Sequence, residues 1–258
     1  MRSPGNGPWT HFRARNYGTA LILPGTWQSA IAPALAGIPE RVGFVDEARF
    51  GLVNKWRWGE KALPCFIDKN AARPYPTRHR SRQNGRATAQ RSHRRGRALA
   101  PGSVSVSKRW TYYAEAVKLL ADRGLDVWVV GGPGEKAMAQ EIVATAGPRV
   151  RDLTGTDLRN GIHAMAAASV AISNDSGLMH IAAALGTPTM GIFGPTSPYL
   201  RAPLNGFAAP AQTKTELACQ PCQRTICTMN DHRCMRDISA AKVVAIVQRL
   251  FERSASCP

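Results

Sequence analysis

The chain has 258 residues, of which 44% are hydrophobic, and a formal net charge of +17. This length suits one large or two modest domains with a real hydrophobic core, which excludes a wholly disordered chain and favours a folded enzyme or binding protein. No apolar run approaches the roughly 20 residues that cross a bilayer, and the first residues lack the apolar stretch of a secretory signal, so we expect a cytoplasmic protein.

The first 68 residues have a short α/β pattern. Thr19–Leu23 and Arg41–Phe44 are rich in apolar residues and predict strands, and Gln28–Ala36 between them predicts a helix. This is too little sequence for a complete domain, so residues 1–68 predict a partial N-terminal domain.

The next segment, residues 69–96, concentrates the positive charge. Ten of the 34 Lys and Arg residues lie between Lys69 and Arg97, without any Asp or Glu, and the rest of the chain is only moderately basic. The segment has almost no aliphatic residues, so it predicts disorder. Two origins remain open: local out-of-frame translation, which the coding DNA would reveal, or a genuine nucleic-acid-binding or membrane-binding arm. Tyr75 is its only aromatic residue, which argues against specific single-strand binding.

Residues 97–258 alternate short aliphatic runs with amphipathic stretches, as parallel strands and crossover helices do. The predicted strands are Arg97–Ala100, Asp126–Gly131, Arg149–Leu153, Val170–Asn174 and Thr189–Phe193. The predicted helices are Trp110–Arg123, Glu135–Ala146, Leu158–Ala168, Gly177–Leu185 and Ala240–Arg253, with C-caps at Gly124, Gly147 and Gly186. The last helix carries Val243, Val244, Val247, Leu250 and Phe251 at helical spacing. This alternation predicts a complete, doubly wound, Rossmann-like α/β domain.

One candidate phosphate site follows the strand Val170–Asn174. Asp175 or Ser176 can cap the next helix, Gly177 allows close backbone approach, and His180 lies one turn further along the same face. N–H groups, a hydroxyl and an imidazole could therefore meet a diphosphate. The alternative is an ordinary helix cap with a surface histidine.

A second candidate site follows the strand Arg97–Ala100. The loop Pro101–Lys108 is rich in hydroxyl groups and ends in a cation, but it lacks the spacing of a Walker loop. Gly131-Gly132-Pro133-Gly134 also follows a strand without completing the dinucleotide fingerprint. An ATPase is therefore not indicated.

These motifs occur in an order that resembles a known family. The motifs are Leu99-Ala100-Pro101-Gly102, Ser107-Lys108-Arg109-Trp110, Gly131-Gly132, Leu153-Thr154-Gly155, Ser173 to Gly186 and Phe193 to Pro198, with Leu23 to Ala30 and Ala36 to Gly43 before them. This order resembles the bacterial lipopolysaccharide heptosyltransferases, most of all those of type II. The resemblance implies a GT-B fold with a complete C-terminal and an incomplete N-terminal Rossmann-like domain.

The same resemblance implies an inverting glycosyltransferase that uses ADP-heptose as substrate and needs no cofactor. Its acceptor would be lipid A–inner core, so we expect a cytoplasmic monomer peripheral to the inner membrane, with no specific nucleic-acid partner.

The resemblance also implies roles for individual residues. Lys108 and the hydroxyls of Ser103 and Ser107 would bind the donor phosphates. The diphosphate and sugar would be held by Asp175, Ser176, Gly177 and His180, and the backbone around Thr156 would face the adenine. Glu135 would bind the ribose hydroxyls, unless it is simply an acidic residue in the first turn of a helix.

The chain departs from the family on the acceptor side. The family opens with a strand and a Gly-Asp motif whose aspartate is the catalytic base, whereas the recognisable sequence here begins around Phe12. We therefore expect an N-terminally truncated chain without that aspartate, because Asp46 and Asp68 stand in a different context. Gln28, beside Ser29 on the acceptor side, replaces a basic residue common in relatives, which weakens contacts with a phosphorylated acceptor. A catalytically inactive ADP-sugar-binding remnant thus remains an alternative to an active transferase, and a basic nucleic-acid-binding protein is a third.

Four of the six cysteines lie within sixteen residues of sequence, at Cys219, Cys222, Cys227 and Cys234. This clustering indicates a local loop feature in a reducing compartment rather than a disulfide framework. Four thiolates could hold zinc, although the second pair departs from the usual spacing. We expect unligated thiols, with structural zinc as the alternative.

Overall fold

The structure, a computed structural model, describes residues 8–24, 26–44, 49–57, 96–155 and 157–255. The chain divides into two compact units, residues 1–83 and 84–258. Of the segment predicted to be disordered, only Gly96 lies within the described residues, where it begins a strand. Thr156, Asp46 and Asp68 lie outside the described residues.

The N-terminal unit contains a small parallel sheet. Its strands are β1 (Thr19–Leu21), β2 (Glu40–Phe44) and β3 (Lys55–Arg57), hydrogen-bonded in that order, and its helices are α1 (Pro8–Ala14) and α2 (Gln28–Leu35). The three elements predicted from sequence are thus confirmed, with β1 two residues shorter, whereas α1 and β3 were not predicted. Ile22, Ala30 and Val53 form the local core.

The C-terminal unit is built on six parallel strands. They are β4 (Gly96–Ala100), β5 (Val127–Val129), β6 (Val150–Asp152), β7 (Ala168–Asn174), β8 (Thr189–Phe193) and β9 (Ala208–Gln212). Their order in the sheet is β6-β5-β4-β7-β8-β9. Counted within this unit, the order is that of a doubly wound Rossmann sheet, whose ligands bind where the chain reverses its winding direction. That switch point lies between β4 and β7.

The prediction of five strands missed β9. Its sequence, Ala-Ala-Pro-Ala-Gln, has no β-branched or aromatic residue and contains Pro210. Because β9 is at the edge of the sheet and pairs with β8 alone, the missing N–H of Pro210 leaves no gap in an inner ladder.

Helices cover both faces of this sheet. They are α3 (Tyr113–Ala121), α4 (Lys136–Ala146), α5 (Leu158–Ala167), α6 (Gly177–Ala184), α7 (Pro198–Arg201), α8 (Arg233–Arg236) and α9 (Ala240–Ala255), with 3₁₀ turns at Val106–Lys108 and Pro133–Glu135. Leu99 packs in the core beneath α3, α4 and α9, whereas Ala98 and Ala100 pack beneath α5 and α6. This alternation follows from the two-residue period of a strand.

The predicted helix ends are largely confirmed. Gly124, Gly147 and Gly186 have φ of +77°, +74° and +69°, the left-handed region that glycine tolerates without a Cβ penalty. In α9 the predicted apolar stripe is buried except for Phe251, which is 38% exposed and lies under the guanidinium of Arg97 at 4.9 Å. Among the described helices, none has the length and apolar character to span a bilayer.

Candidate functional site

Asn174, at the end of β7, holds the two sides of the switch point together. Its side-chain amide donates to the carbonyl of Pro101 at 2.7 Å, and its side-chain oxygen accepts from the Tyr113 hydroxyl at 2.9 Å and the Trp110 N–H at 3.3 Å. The asparagine is fully buried, and burial also raises the pKa of Tyr113 well above its ordinary value. These bonds fix the loop after β4 against the end of β7. Asn174 lies within the family motif Ser173 to Gly186, but no role was predicted for it.

A partly buried ion pair involves Asp175, the residue that follows Asn174. Lys108 Nζ is 2.8 Å from Asp175 Oδ2, and the two side chains are only 16% and 5% exposed. Lys108 ends the 3₁₀ turn after β4, whereas Asp175 follows β7. The structure therefore brings together two residues predicted separately from two loops.

Arg201 is a third charged residue at this position and was not predicted. It ends the short helix α7, and its Nη1 lies 3.8 Å from the same Asp175 Oδ2. The signal in the sequence was Pro198, which is well placed to begin a helix after the motif that follows β8.

The N-terminus of α6 opens beside Asp175. Ser176 is the N-cap residue, but its side chain makes no cap hydrogen bond, and its hydroxyl lies 3.0 Å from the Ser173 hydroxyl. Ser176 thus occupies the predicted N-cap position without a side-chain cap bond, since its hydroxyl lies against that of Ser173 and the Asp175 carboxylate pairs with Lys108. The first N–H groups of α6, starting at the exposed Gly177, have no acceptor from a capping side chain and suit an anion.

His180 lies one turn into α6 and is partly buried. Burial lowers its pKa below the ordinary value; Asp175 opposes this shift, while Arg201 and Lys108 reinforce it. The imidazole is therefore neutral near pH 7, with one ring nitrogen able to donate a hydrogen bond and the other able to accept one.

Glu135 packs over glycines at the ends of β4 and β5. A Cβ built on Gly102 would lie 2.6 Å from Glu135 Cγ and Oε1, and one built on Gly132 would lie 3.2 Å from Oε2. The missing side chains therefore make room for this carboxylate in the crevice. Glu135 ends the 3₁₀ turn that precedes α4 and makes no side-chain cap bond. Both the ribose contact and the alternative of an acid in a first helical turn therefore stay predictions.

The two predicted serines are buried in the loop after β4. The Ser103 carbonyl accepts from Arg109 Nε at 2.9 Å, whereas the Ser107 hydroxyl donates to the carbonyl of Arg224. The Ser107 proton is thus used in attaching this loop to the cysteine segment. Phosphate contact by either hydroxyl stays a prediction.

The cysteine segment, residues 219–234, packs beside the same loop. The Ser107 N–H donates to the Thr225 carbonyl at 3.1 Å, and the His232 ring contacts the Ser107 carbonyl. All four cysteines are free thiols. Burial, followed by the proximity of the other three thiols, raises the pKa of Cys234 to about 11. Among the described residues, no group of three or more candidate ligands is arranged to hold a metal ion.

The predicted acceptor-side residues lie in the N-terminal unit. Gln28 begins α2, and the Ser29 hydroxyl donates to the Thr26 carbonyl at 2.6 Å. Arg49, which was not predicted, is fully buried and donates to the carbonyls of Pro24, at 3.0 Å, and Phe44. It thereby joins the loops that follow β1 and β2.

Residues 9–232 match the family model described as glycosyltransferase family 9 (heptosyltransferase). The chain is 32% identical over 223 residues to lipopolysaccharide heptosyltransferase 2 of Escherichia coli, and 31% identical to that of Salmonella typhimurium. Both alignments cover 75% of this chain and 64% of the relative, so the chain spans less than two thirds of the length of these curated proteins.

Solved structures give the same match. ADP-heptose lipopolysaccharide heptosyltransferase II of Escherichia coli superposes with a TM-score of 0.75 at 28% identity, over 96% of this chain and 80% of that one. A family 9 glycosyltransferase of Veillonella parvula gives a TM-score of 0.76 at 16% identity, over 95% and 77%, which is a likeness of fold alone. The predicted α/β fold class of the heptosyltransferases is thus confirmed.

Proposed function

The chain belongs to glycosyltransferase family 9, the heptosyltransferase family, and from that premise we propose that it transfers heptose from ADP-heptose to the lipopolysaccharide inner core. The observation that carries this proposal is the Lys108–Asp175 pair at the switch point of the C-terminal sheet, beside the open N-terminus of α6. Cations and free N–H groups at this position suit a sugar diphosphate.

We assign each part of the donor to a group in the crevice. Lys108 and the N–H groups from Gly177 onward would face the diphosphate, while Ser176 and the neutral His180 would hydrogen-bond its oxygens or the adjoining sugar. Glu135, folded over the glycines, would accept hydrogen bonds from the ribose hydroxyls, and the backbone around Thr156 would meet the adenine. Asp175 would hold Lys108 in place, since their atoms are already in contact.

The reaction is an inverting displacement. An acceptor hydroxyl loses its proton to a base and attacks the anomeric carbon, while the bond from that carbon to the diphosphate oxygen breaks. Lys108, the start of α6 and an N–H of His180 would stabilise the negative charge that develops on the departing ADP. Gln28 and Ser29 would lie on the acceptor side, and no base is assigned in this chain.

A second candidate function is ADP-sugar binding without transfer. It is favoured because the residues that we propose for the donor all lie in the C-terminal unit, whereas no carboxylate of the N-terminal unit is assigned as the base. For either function we propose a cytoplasmic monomer, and for the transferase we propose action at the inner-membrane surface, where the lipid A–inner-core acceptor lies.

Calorimetric titration of the full chain with ADP tests both functions. We expect Lys108→Ala to weaken ADP binding roughly 10- to 100-fold, because a charge-assisted contact is lost. Lys118→Ala, at an exposed lysine paired with Asp122, is the matched control. A chain that does not bind ADP would refute both candidates. Transfer of radiolabelled heptose to a purified lipid A–inner-core acceptor then separates them, because the binding protein would leave the acceptor unlabelled.

A further inference from the structure

Resting on the proposed function and deepening it, we propose that Arg201 is a third cationic ligand of the donor diphosphate. The proposal concerns a residue outside the motifs quoted for the family resemblance, although the family match itself spans residues 9–232. It predicts a diphosphate held from two sides of the crevice.

The sheet order places Arg201 opposite Lys108. In the sheet, β7 lies between β4 and β8, and the residues at its carboxyl end pair with those of β8, as Asn174 does with Ile192. Lys108 comes from the loop after β4, and Arg201 comes from the segment after β8. Both side chains reach Asp175, at the end of the middle strand, so they flank the crevice from its two sides.

Two cationic side chains lie close to the Asp175 carboxylate. The single oxygen Oδ2 faces Lys108 Nζ at 2.8 Å and Arg201 Nη1 at 3.8 Å, and the second distance is longer than a good hydrogen bond. Two cations therefore share one carboxylate, next to the partial positive charge of the α6 N-terminus and a neutral imidazole. This convergence of cationic groups and N–H donors suits a polyanion such as a diphosphate.

The exposure and chemistry of Arg201 suit this role. Its side chain is 30% exposed, compared with 16% for Lys108, so a ligand in the crevice can reach it. A guanidinium presents several N–H donors in one plane and binds phosphate through two of them at once. If Arg201 served only to contact Asp175, its substitution would leave the affinity for ADP unchanged. The two roles therefore predict different affinities for an Arg201 variant.

Titration of three full-length variants with ADP and with AMP tests the proposal. We expect Arg201→Gln to weaken ADP binding roughly 10- to 100-fold and AMP binding less, because AMP lacks the second phosphate. Arg201→Lys should restore part of the loss. Arg233→Gln is the matched control, since Arg233 is an exposed arginine that pairs with Asp237 in the same unit.

The wild-type chain supplies a second measurement that does not depend on how the variants fold. We expect ADP to protect Arg201, but not Arg233, from modification by phenylglyoxal, as located by mass spectrometry. If Arg201→Gln binds ADP as tightly as wild type, or ADP leaves Arg201 unprotected while Lys108→Ala loses affinity, the proposal for Arg201 is overturned and the proposed function stands. If the wild-type chain does not bind ADP, the proposed function itself fails.

Discussion

The two units of the chain use the ends of their parallel strands differently. In the C-terminal unit, Lys108 and Arg201 meet the buried Asp175 at the strand ends and remain partly accessible. In the N-terminal unit, the charged residue that joins two strand ends is Arg49, which is fully buried and donates to backbone carbonyls. One set of strand ends is therefore available to an anion, whereas the other is occupied by the protein's own side chain.

The largest effect is expected from removing the Asn174 side chain, whose hydrogen bonds connect the loop after β4 to the end of β7. Asn174→Ala should lower the free energy of unfolding by about 3 kcal/mol, because the Pro101 carbonyl and the Tyr113 hydroxyl lose buried partners. Denaturant unfolding followed through the fluorescence of the buried Trp110 measures this loss. Asn160→Ala, at an exposed helical position, is the control, and equal stability of the two variants would contradict the role of Asn174.

A substitution in the N-terminal unit should lower the stability of that unit without changing the affinity for ADP. Arg49→Met should destabilise that unit by about 2 kcal/mol, because the Pro24 and Phe44 carbonyls lose a buried donor. Hydrogen exchange of the Ile22 amide, which bonds to Val42, should become faster, while exchange of the Val130 amide, which bonds to Leu99, stays unchanged. ADP affinity should be that of wild type, and a weakened affinity would show that the contrast between the units is wrong.

A smaller effect is expected from pH, through His180. Burial lowers its folded-state pKa below the ordinary 6.5, so the unfolded chain binds more protons at pH values between the two. The stability associated with the neutral ring is complete above pH 6.5 and is lost as the pH falls through 6.5 towards the folded pKa. The charges that face this ring are those of Asp175, Arg201 and Lys108, which remain in place in the variant described next.

His180→Gln removes this titration while keeping a polar side chain. Between about pH 7.5 and about pH 5.5, the melting temperature of wild type should therefore fall more than that of the variant. His163→Gln, at an exposed histidine on α5, should fall in parallel with wild type. Identical pH profiles for wild type and His180→Gln would contradict the assignment.

The smallest effect is expected when a chelator is added to remove any metal ion from the cysteine segment. Its four thiols are free, and among the described residues no three candidate ligands are arranged to hold a metal ion. Elemental analysis should find far less than stoichiometric zinc, and a chelator should leave the melting temperature unchanged. Stoichiometric zinc whose removal lowers the melting temperature would instead establish the zinc alternative.

The sequence alone determined the parallel α/β pattern and the positions of most helices and strands. Aliphatic runs, amphipathic spacing and glycines such as Gly124 and Gly186 are local signals. Each depends on a few neighbouring residues, so the helices and strands that they predict form in the folded chain as well. Edge strand β9 was not predicted, because its alanines and Pro210 give no local signal and its pairing with β8 depends on the rest of the sheet. The motif order also identified the family and the residues around Asp175.

Only the tertiary structure decided how those residues combine. Three contacts join residues that lie far apart in sequence. They are the Asp175–Lys108 pair, the contact of Arg201 with the same carboxylate, and the position of Glu135 over Gly102. Asp175 makes no cap bond for the same reason, because its carboxylate pairs with a lysine that lies 67 residues earlier in the sequence. Such choices depend on the three-dimensional competition among charges, and a linear pattern holds no record of it.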